Sequence, residues 1–262
     1  MKYFVVSDIH GFYSEFKNAL DKAGFNIDNE NHKLVVCGDI FDRGKEALNV
    51  YHFLKSIPKN RLILIRGNHD YLLVDLVNKD APSEADFYDG TFDTLCQLAK
   101  VDHDYPFAKL KELKIIKDVV NWINSKDWHY YYEVNNYIFV HSFIPLRFIN
   151  NPSSYIDPDI NKDLFYDASW RKIKEEFLLK RCAYDSAWRK YKAKLFEEEI
   201  KKGKTLVCGH THSCEFFKNL DGILDNYSIY YDGHIINLDG WVEKTHHVNV
   251  LIIGEDGKIK LE

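Results

Sequence analysis

Residues 2–10 read Lys-Tyr-Phe-Val-Val-Ser-Asp-Ile-His, and this segment is the best single indication of the fold. The apolar run over residues 2–7 contains β-branched side chains and predicts a short buried strand. The strand ends in two polar residues, Asp8 and His10. Because residues i and i+2 at a strand end project to the same side, this carboxylate and this imidazole can face a common point.

The same alternation of strand and helix continues to about residue 65. Helical periodicity covers residues 12–23 and 45–54, and short apolar runs at 33–37 and 61–65 predict the second and third strands. Alternating strands and helices predict a parallel sheet with crossover helices. In such sheets, functional residues gather just beyond the carboxyl ends of the strands.

The rest of the chain predicts a second sheet in the same domain. Residues 71–126 look mostly helical and irregular. Strand-like runs follow at 128–134, 137–140, 205–208, 229–231, 234–238, 248–253 and 258–261. We therefore expect an α/β fold in which two packed mixed β-sheets are flanked by helices. Residues 1–262 are expected to form a single domain, since 262 residues is a common length for one α/β domain.

The composition excludes several classes of protein. A net charge of -5 argues against a nucleic-acid partner, because binding nucleic acid needs a basic surface to neutralise phosphates. The sequence has no apolar run of about eighteen residues, so we expect no membrane span. Five cysteines are an odd count without metal-type spacing, which predicts free thiols in a reducing cytosol and a cytoplasmic protein. The oligomeric state is left open.

A helical, basic insert is predicted at about residues 150–204. Within it, residues 171–204 contain twelve Lys or Arg against six Asp or Glu. One interpretation is a solvated helix face. The other is a basic flap that attracts an anionic substrate to the site. The sequence leaves both interpretations open.

Four further strand runs also end in residues that can bind metals. The segments that follow them are Gly38-Asp39-Ile40-Phe41-Asp42-Arg43-Gly44, Arg66-Gly67-Asn68-His69-Asp70, His141-Ser142 and Gly209-His210-Thr211-His212. Each segment alone has a structural interpretation, such as an Asn68 helix cap. Together they offer carboxylate, amide and imidazole ligands without thiolate. That set suits a catalytic pair of Mn, Fe or Zn ions better than a closed structural zinc site.

The order of these motifs resembles the calcineurin-like metallophosphoesterase superfamily. The Asp-Arg-Gly turn at 42–44 and the Arg-Gly-Asn-His run at 66–69 resemble its serine/threonine protein phosphatase branch, including small bacterial and phage members. Residues 235–240 resemble the penultimate strand of that branch. The resemblance implies a four-layer α/β/β/α fold and a hydrolase that uses two divalent metal ions. Manganese is the expected metal, with iron and zinc as the alternatives.

The resemblance also implies a role for each site residue. The implied metal ligands are Asp8 and His10 for the first ion, Asp39 as the bridge, Asn68, His141 and His210 for the second ion, and His212 as a further candidate for the first. His69, oriented by Asp42, would protonate the leaving alkoxide, and Arg43 and Arg66 would hold the phosphoryl oxygens. Arg171 and Arg189 are both candidates for a further phosphate-binding arginine.

Two departures from the protein phosphatase pattern concern the substrate. Asp70 stands where that branch usually has Glu, and an Asp at this position resembles the symmetrical diadenosine tetraphosphatases. Ser142 follows His141, where the protein phosphatase pattern is usually glycine-rich. Our main hypothesis is a serine/threonine phosphatase-like monoesterase acting on a phosphoprotein or small phosphoester. The alternative is a dinucleoside polyphosphate hydrolase or phosphodiesterase. A non-catalytic scaffold is disfavoured because every ligand and the His69 acid are present, and a nuclease is disfavoured by the acidic charge balance.

Overall fold

The computed structural model describes residues 1–142, 201–221 and 225–262, which form two mixed β-sheets. The strands of the first sheet are β1 (Lys2–Val6), β2 (His32–Cys37), β3 (Leu62–Ile65), β4 (Trp128–His129), β10 (Leu251–Ile253) and β11 (Ile259–Leu261). Their order is β11-β10-β1-β2-β3-β4. The pairings from β1 through β4 are parallel, so the loops that follow these strands share one edge of the sheet.

The second sheet has the order β5-β6-β7-β9-β8. Its strands are β5 (Tyr131–Val134), β6 (Tyr137–Val140), β7 (Thr205–Cys208), β8 (Tyr230–Tyr231) and β9 (Ile235–Asn237). The central strands β6, β7 and β9 are parallel, and the edge strands β5 and β8 are antiparallel to their neighbours.

Helices cover the outer face of the first sheet. In the second sheet, a helix follows β7 in the chain. The helices are α1 (Tyr13–Ala23), α2 (Ala47–Ser56), α3 (Asn68–Asn78), α4 (Glu84–Tyr88), α5 (Thr91–Ala99), α6 (Phe107–Leu110), α7 (Lys114–Ile123), α8 (Ser213–Asp221) and α9 (Val242–Thr245). A 3₁₀ turn at Lys59–Arg61 leads into β3. None of the helices in the described ranges combines the length and apolar character that a membrane crossing requires.

The side chains of β1 show how alternation along a strand builds two layers of core. Phe4 and Val6 are buried among the helices on the outer face. Val5 points the opposite way and is buried between the sheets, with Val207 of β7 and Ile236 of β9. Each fully buried aliphatic or aromatic side chain contributes roughly 1.5–3 kcal/mol of transfer free energy. The inter-sheet cluster therefore fixes the two strand edges relative to each other.

The prediction of two packed mixed sheets flanked by helices is confirmed. One detail is wrong: the expected strand over residues 128–134 divides at Tyr130 into β4 and β5, which belong to different sheets. Trp128 is buried against Trp122 of α7, with ring centroids 5.1 Å apart, whereas Tyr132 pairs with Phe139 of β6. The two halves of the run pack in different layers, so one straight strand cannot belong to both sheets.

Several other predictions meet only part of the described chain. The run at 248–253 forms a strand only over Leu251–Ile253, and just before it the side-chain Nδ2 of Asn249 donates to the backbone carbonyls of Tyr227 and Leu238. Cys37, Cys96, Cys208 and Cys214 are free thiols, as predicted. The basic insert, apart from its last four residues, lies outside the described residues, together with Arg171, Arg189 and Cys182. The single-domain organisation stays a prediction.

Candidate metal centre

The eleven predicted site residues all lie in loops or a helix start that follow strands of the two sheets. Parallel pairing places the loops after β1, β2 and β3 side by side, and the loops after β6 and β7 beside each other. The His210 backbone N–H donates to both carboxylate oxygens of Asp8, at 3.1 and 3.0 Å. This contact joins the second-sheet loops to the first-sheet loops at one site.

The Asp39 carboxylate lies at the centre of the candidate ligands. It belongs to two groups of potential ligand atoms, each within 4.8 Å: Asp39 with His10 and His69, and Asp39 with His141 and His210. Its Oδ2 lies 3.3 Å from Nε2 of His141 and 3.7 Å from Nε2 of His10. A carboxylate shared between a group that contains His10 and a group that contains His141 and His210 suits a pair of cations, and His69 in the first group is the residue predicted to be the acid.

The rings of His10 and His141 are oriented as metal-binding histidines usually are. In each ring, Nδ1 donates to a backbone carbonyl within residues 37–41, at 3.0 Å for His10 and 2.7 Å for His141. Since a carbonyl oxygen only accepts, Nδ1 carries a proton and Nε2 is directed at Asp39. Oδ1 of Asn68 also lies 3.1 Å from Nε2 of His141. This convergence of carboxylate, amide and imidazole donors fits divalent cations.

The buried charges point to the same conclusion. Burial and the negative charges of Asp239 and Asp39 raise the pKa of Asp8 well above its usual range. Burial also acts to raise the pKa of Asp39, but the neighbouring His141 and His69 outweigh burial and hold that pKa well below its usual range. Among the described residues, neither carboxylate pairs with Lys or Arg. Divalent cations would offset the mutual repulsion of the buried Asp8, Asp39 and Asp239 carboxylates, which raises the pKa of Asp8.

Backbone strain is concentrated at this site. Six predicted site residues have positive φ angles: Asp8 (52°), His10 (48°), Asp39 (53°), Asp42 (72°), Arg43 (63°) and His210 (65°). Such conformations cost of order 1–3 kcal/mol each and persist where surrounding contacts enforce them. Here the His10 N–H donates to the Asp39 carbonyl at 2.9 Å, and the Gly44 N–H donates to the His10 carbonyl at 2.8 Å.

Two glycines allow the ligands to approach this closely. A β-carbon at Gly67 would overlap the Asp39 carboxylate, and one at Gly209 would overlap the Asp8 carboxylate and the Ser7 hydroxyl. The glycines at these positions therefore serve close packing against a ligand, not only a turn.

His69 and Asp42 form the hydrogen-bonded pair that the sequence predicts. Nδ1 of His69 lies 2.8 Å from Oδ2 of Asp42, and both side chains are buried. Burial lowers the pKa of His69, but the negative charges of Asp39 and Asp42 outweigh burial and raise that pKa to about 9. A protonated imidazole is the form that can give a proton to a leaving group. Asp42 thus pairs with His69, whereas the carboxylate that pairs with Arg43 is that of Glu243.

Arg43 and Arg66 both precede His69 in the sequence, Arg43 in the loop after β2 and Arg66 in the loop after β3. Nη2 of Arg43 lies 3.4 Å from Nε2 of His69, and Nη1 lies 3.4 Å from Oε2 of Glu243. Arg66 lies over the Tyr130 ring at 5.2 Å, and its buried Nε has no hydrogen-bond partner among the described residues. Because guanidinium N–H groups pair well with phosphate oxygens, both positions suit an anionic ligand.

His212 lies at the margin of the site. Its ring nitrogen is in neither group of ligand atoms within the described chain. Nδ1 of His212 lies 3.0 Å from Oδ2 of buried Asp239, and its ring stacks on Trp241 with centroids 4.1 Å apart. A metal-binding histidine commonly donates its other ring N–H to a carboxylate, so this contact is compatible with the predicted ligand role. That role stays a prediction, as do the roles of the other site residues.

Sequence reasoning assigned no site role to Thr91, Thr94, Asp239 or Glu243, each of which contacts a predicted site residue. Thr91 and Thr94 donate to Asp42, at 2.8 Å each. They are about fifty residues from their partner and belong to no recognisable motif. Asp239 had a usable signal, because it lies in the segment 235–240 that resembles a family strand.

Several curated relatives of this chain carry the name symmetrical bis(5'-nucleosyl)-tetraphosphatase. The symmetrical bis(5'-nucleosyl)-tetraphosphatase of Proteus mirabilis is 29% identical over 129 residues, which are 48% of this chain and 38% of the relative. The protein of the same name from Wigglesworthia glossinidia brevipalpis is 35% identical over 79 residues, 30% of this chain and 28% of the relative. The matches thus span less than two fifths of the length of these relatives.

Solved structures match over a longer part of the chain at lower identity. A cold-active protein tyrosine phosphatase of Shewanella has a TM-score of 0.55 and 17% identity, covering 99% of this chain and 80% of that one. A serine/threonine phosphatase of Saccharomyces cerevisiae has a TM-score of 0.53 and 14% identity, covering 100% and 79%. At these identities, the likeness shows the fold alone.

The family model for calcineurin-like phosphoesterases matches residues 1–214, which is most of the chain. This match covers all of the predicted site residues and confirms the resemblance drawn from the motifs. The chain belongs to the calcineurin-like phosphoesterase family.

Proposed function

We propose that the protein is a phosphoric ester hydrolase with two divalent cations at the candidate centre. The observation that carries this proposal is the Asp39 carboxylate, which is shared by two groups of ligand atoms within 4.8 Å. The proposed ligands are Asp8, His10 and His212 for one cation, Asn68, His141 and His210 for the other, and Asp39 for both. The oxygen and imidazole donors suit Mn, Fe or Zn, and manganese is proposed among them from the resemblance to the family.

The reaction divides between the cations and the residues around them. Cations held in this way supply Lewis acidity towards phosphoryl oxygens and a nucleophilic water at neutral pH. Arg43 and Arg66 bind the phosphoryl oxygens and hold the phosphorus in place for attack. His69 gives the proton on Nε2 to the leaving oxygen as its bond to phosphorus breaks. Asp42 accepts the hydrogen bond from Nδ1 and so keeps Nε2 turned towards the substrate.

The proposed substrate is a dinucleoside polyphosphate. Two observations support it: the names of the curated relatives, and the run Asn68-His69-Asp70, in which Asp replaces the Glu of protein phosphatases. Asp70 itself is buried and accepts the backbone N–H groups of Asp39, Ile40 and Gly67. Asp70 therefore supports the loops of the site and does not itself select a substrate. The support for this substrate comes from similarity to the relatives.

A phosphorylated serine or threonine is the second candidate substrate, and a specific contact favours it. An alkoxide is a poor leaving group and gains much from a proton donor, whereas a nucleoside diphosphate leaves readily without one. The buried pair of His69 and Asp42, 2.8 Å apart, is such a donor. The pair would be used most fully on a phosphate monoester.

A direct comparison of substrates tests both candidates. The protein, loaded with manganese and in parallel with iron or zinc, is assayed on diadenosine tetraphosphate, a phosphoserine peptide and p-nitrophenyl phosphate. We expect kcat/KM to be highest for diadenosine tetraphosphate, with two ADP molecules as the products. ATP and AMP as products would instead indicate asymmetric cleavage.

Two results would contradict these proposals. Faster hydrolysis of the phosphopeptide would reject the nucleotide substrate and leave the metal centre standing. Protein that contains about two metal ions per chain and cleaves none of the three compounds would reject the hydrolase. The variant His69→Asn separates loss of the proton donor from loss of the metal. It should keep the metal and lose rate mainly on substrates with poor leaving groups.

A further inference from the structure

Two threonines of α5 donate hydrogen bonds to the Asp42 carboxylate. Thr91 Oγ1 donates to Oδ2 of Asp42 and Thr94 Oγ1 donates to Oδ1, both at 2.8 Å. The Asp42 backbone N–H donates to Thr94 Oγ1 at 3.0 Å. All three side chains are fully buried. With His69 as the third donor to the carboxylate, Asp42 has a defined orientation about its own side-chain bonds.

The helix that carries these threonines packs directly on the loop that carries Asp42. Thr91 is the first residue of α5, and Thr94 follows one turn later on the same face. A β-carbon on Gly90, just before the helix, would lie 2.7 Å from the Arg43 backbone nitrogen. The positive end of the α5 dipole faces a buried carboxylate, which is a favourable arrangement. The loop therefore rests against a regular element, not against solvent.

We propose that Thr91 and Thr94 are positioning residues for the proton donor: they fix Asp42, and through Asp42 they fix the ring of His69. This inference rests on the proposed function, since it assumes that His69 protonates a leaving group. Neither threonine is placed to touch the substrate. Their effect on the reaction passes through two hydrogen bonds in series, from threonine to aspartate and from aspartate to histidine.

Geometry explains why the threonines matter. The Asp42 carboxylate has two oxygens, and His69 contacts only Oδ2. Without the hydroxyls, the carboxylate would be buried with one oxygen lacking a side-chain donor, and it would turn to share its remaining donor. The imidazole would turn with it, and displacing a reacting group by about 1 Å can cost on the order of a hundredfold in rate.

The test compares valine and serine at the two positions in the metal-loaded full chain. Thr91→Val/Thr94→Val keeps the side-chain shape and removes both hydroxyls, and Thr91→Ser/Thr94→Ser keeps both hydroxyls. We expect the valine pair to slow phenyl phosphate hydrolysis about ten- to a hundredfold and p-nitrophenyl phosphate hydrolysis by less than about threefold, because only the poorer leaving group needs the proton. The serine pair should restore both rates. Thr91→Val alone, which retains the Thr94 contacts, should show a smaller effect of the same kind.

A second readout does not depend on activity. The N–H proton of an imidazole that donates to a buried carboxylate gives a downfield proton NMR signal, which should be assigned through its loss in His69→Asn. We expect this signal to exchange with water faster in the valine pair and to be retained in the serine pair. Equal slowing of both phosphate esters with an unchanged NMR signal would overturn the inference and leave the threonines a structural role. A wild-type protein that hydrolyses no ester, with the NMR change present, would instead reject the proposed function alone.

Discussion

The two sheets contribute to the candidate centre in different ways. On the first-sheet side, which comprises the loops after β1, β2 and β3, backbone groups hydrogen-bond from loop to loop. The Asp8 N–H donates to the Gly38 carbonyl at 3.1 Å, and the Gly11 N–H donates to the Ile40 carbonyl at 2.9 Å. The buried Asp70 carboxylate adds bonds to three further backbone N–H groups of these loops, so the backbone of the first-sheet side is held throughout.

On the second-sheet side, which comprises the loops after β6, β7 and β9, the links to the first sheet involve side chains. The His141 ring donates to the Cys37 carbonyl, and the Asp8 carboxylate accepts the His210 N–H. The second-sheet ligands are thus placed against a surface that the first-sheet side provides. The difference implies that a substitution on the first-sheet side disturbs all the ligands of the centre, whereas a substitution on the second-sheet side displaces only the ligands near it.

Asp39 lies on the first-sheet side, but its carboxylate lies near histidines of both sides, so changing it should have the largest effect. In Asp39→Asn the shared carboxylate is lost from both groups of ligand atoms. We expect activity to fall by more than about a thousandfold, which corresponds to about 4 kcal/mol in the barrier. Metal content measured by mass spectrometry should fall from about two ions per chain to one or none. Retention of two ions would show that Asp39 does not bridge them.

Asp70 tests the first-sheet side without altering a proposed ligand. Its two carboxylate oxygens accept the N–H groups of Asp39, Ile40 and Gly67 at 2.9 to 3.1 Å. Asn has one oxygen and would place an NH2 group against a backbone donor. We expect Asp70→Asn to lower the free energy of unfolding in urea by about 3 kcal/mol, since each unsatisfied buried group costs about 1–3 kcal/mol.

The exposed Asp80 supplies the control for this measurement. Asp80→Asn removes the same charge at the end of the segment that includes α3 and should change the free energy of unfolding by less than about 0.5 kcal/mol. If Asp70→Asn were equally mild, the loops of the first-sheet side would not depend on the bonds from their N–H groups to Asp70, and the comparison between the two sides would be wrong.

Asp239 offers the corresponding test on the second-sheet side. If Asp239 orients His212 as a ligand, Asp239→Asn should weaken the affinity for the more weakly bound ion about ten- to a hundredfold, as loss of such an orienting partner usually does. Isothermal titration calorimetry, in which manganese is added to metal-free protein, measures this affinity. The double variant His212→Ala/Asp239→Asn should bind no more weakly than His212→Ala, because both changes act through one ring. Unchanged affinity in Asp239→Asn would remove His212 from the ligand set.

The first-sheet side is also the part that the sequence predicts best. Each of its three strands is a short apolar run that ends directly in ligand-type residues, such as Asp8 and Asp39. Local pattern is enough there, because a parallel sheet brings consecutive strand ends together. The same rule located His141 and His210 after β6 and β7.

Contacts made by distant segments could not be predicted in this way. Thr91 and Thr94 look like ordinary helix residues, and their link to Asp42 depends on how α5 packs on the sheet. The division at Tyr130 likewise follows from the packing of Trp128 and Tyr132 in different layers, which periodicity does not encode. Tertiary packing therefore decides what local pattern leaves open.

The smallest predicted effect lies away from the centre, at the start of α4. Asp86 accepts hydrogen bonds from Ser83 and from Nζ of Lys79. Burial raises the pKa of Asp86, but these bonds outweigh burial and hold that pKa below its usual range. The stabilisation is therefore present above the unfolded-state pKa of about 3.9 and is lost as pH falls through the lower folded-state pKa. We expect Asp86→Asn to cost about 1–2 kcal/mol of unfolding free energy at pH 7 and progressively less below about pH 4.

The matched control shares a partner with Asp86. Asp75 also pairs with Nζ of Lys79, at 3.2 Å, but its side chain is 42% exposed. Asp75→Asn should therefore cost less than about 0.5 kcal/mol, as exposed pairs do. Neither variant should change metal content or hydrolysis rate, because α4 carries none of the proposed ligands. If Asp86→Asn lowered the metal content, the first-sheet side would have to extend beyond its loops to α4. A difference from wild type that persisted at full size below pH 3 would show that the ionised form of Asp86 is not what stabilises the helix start.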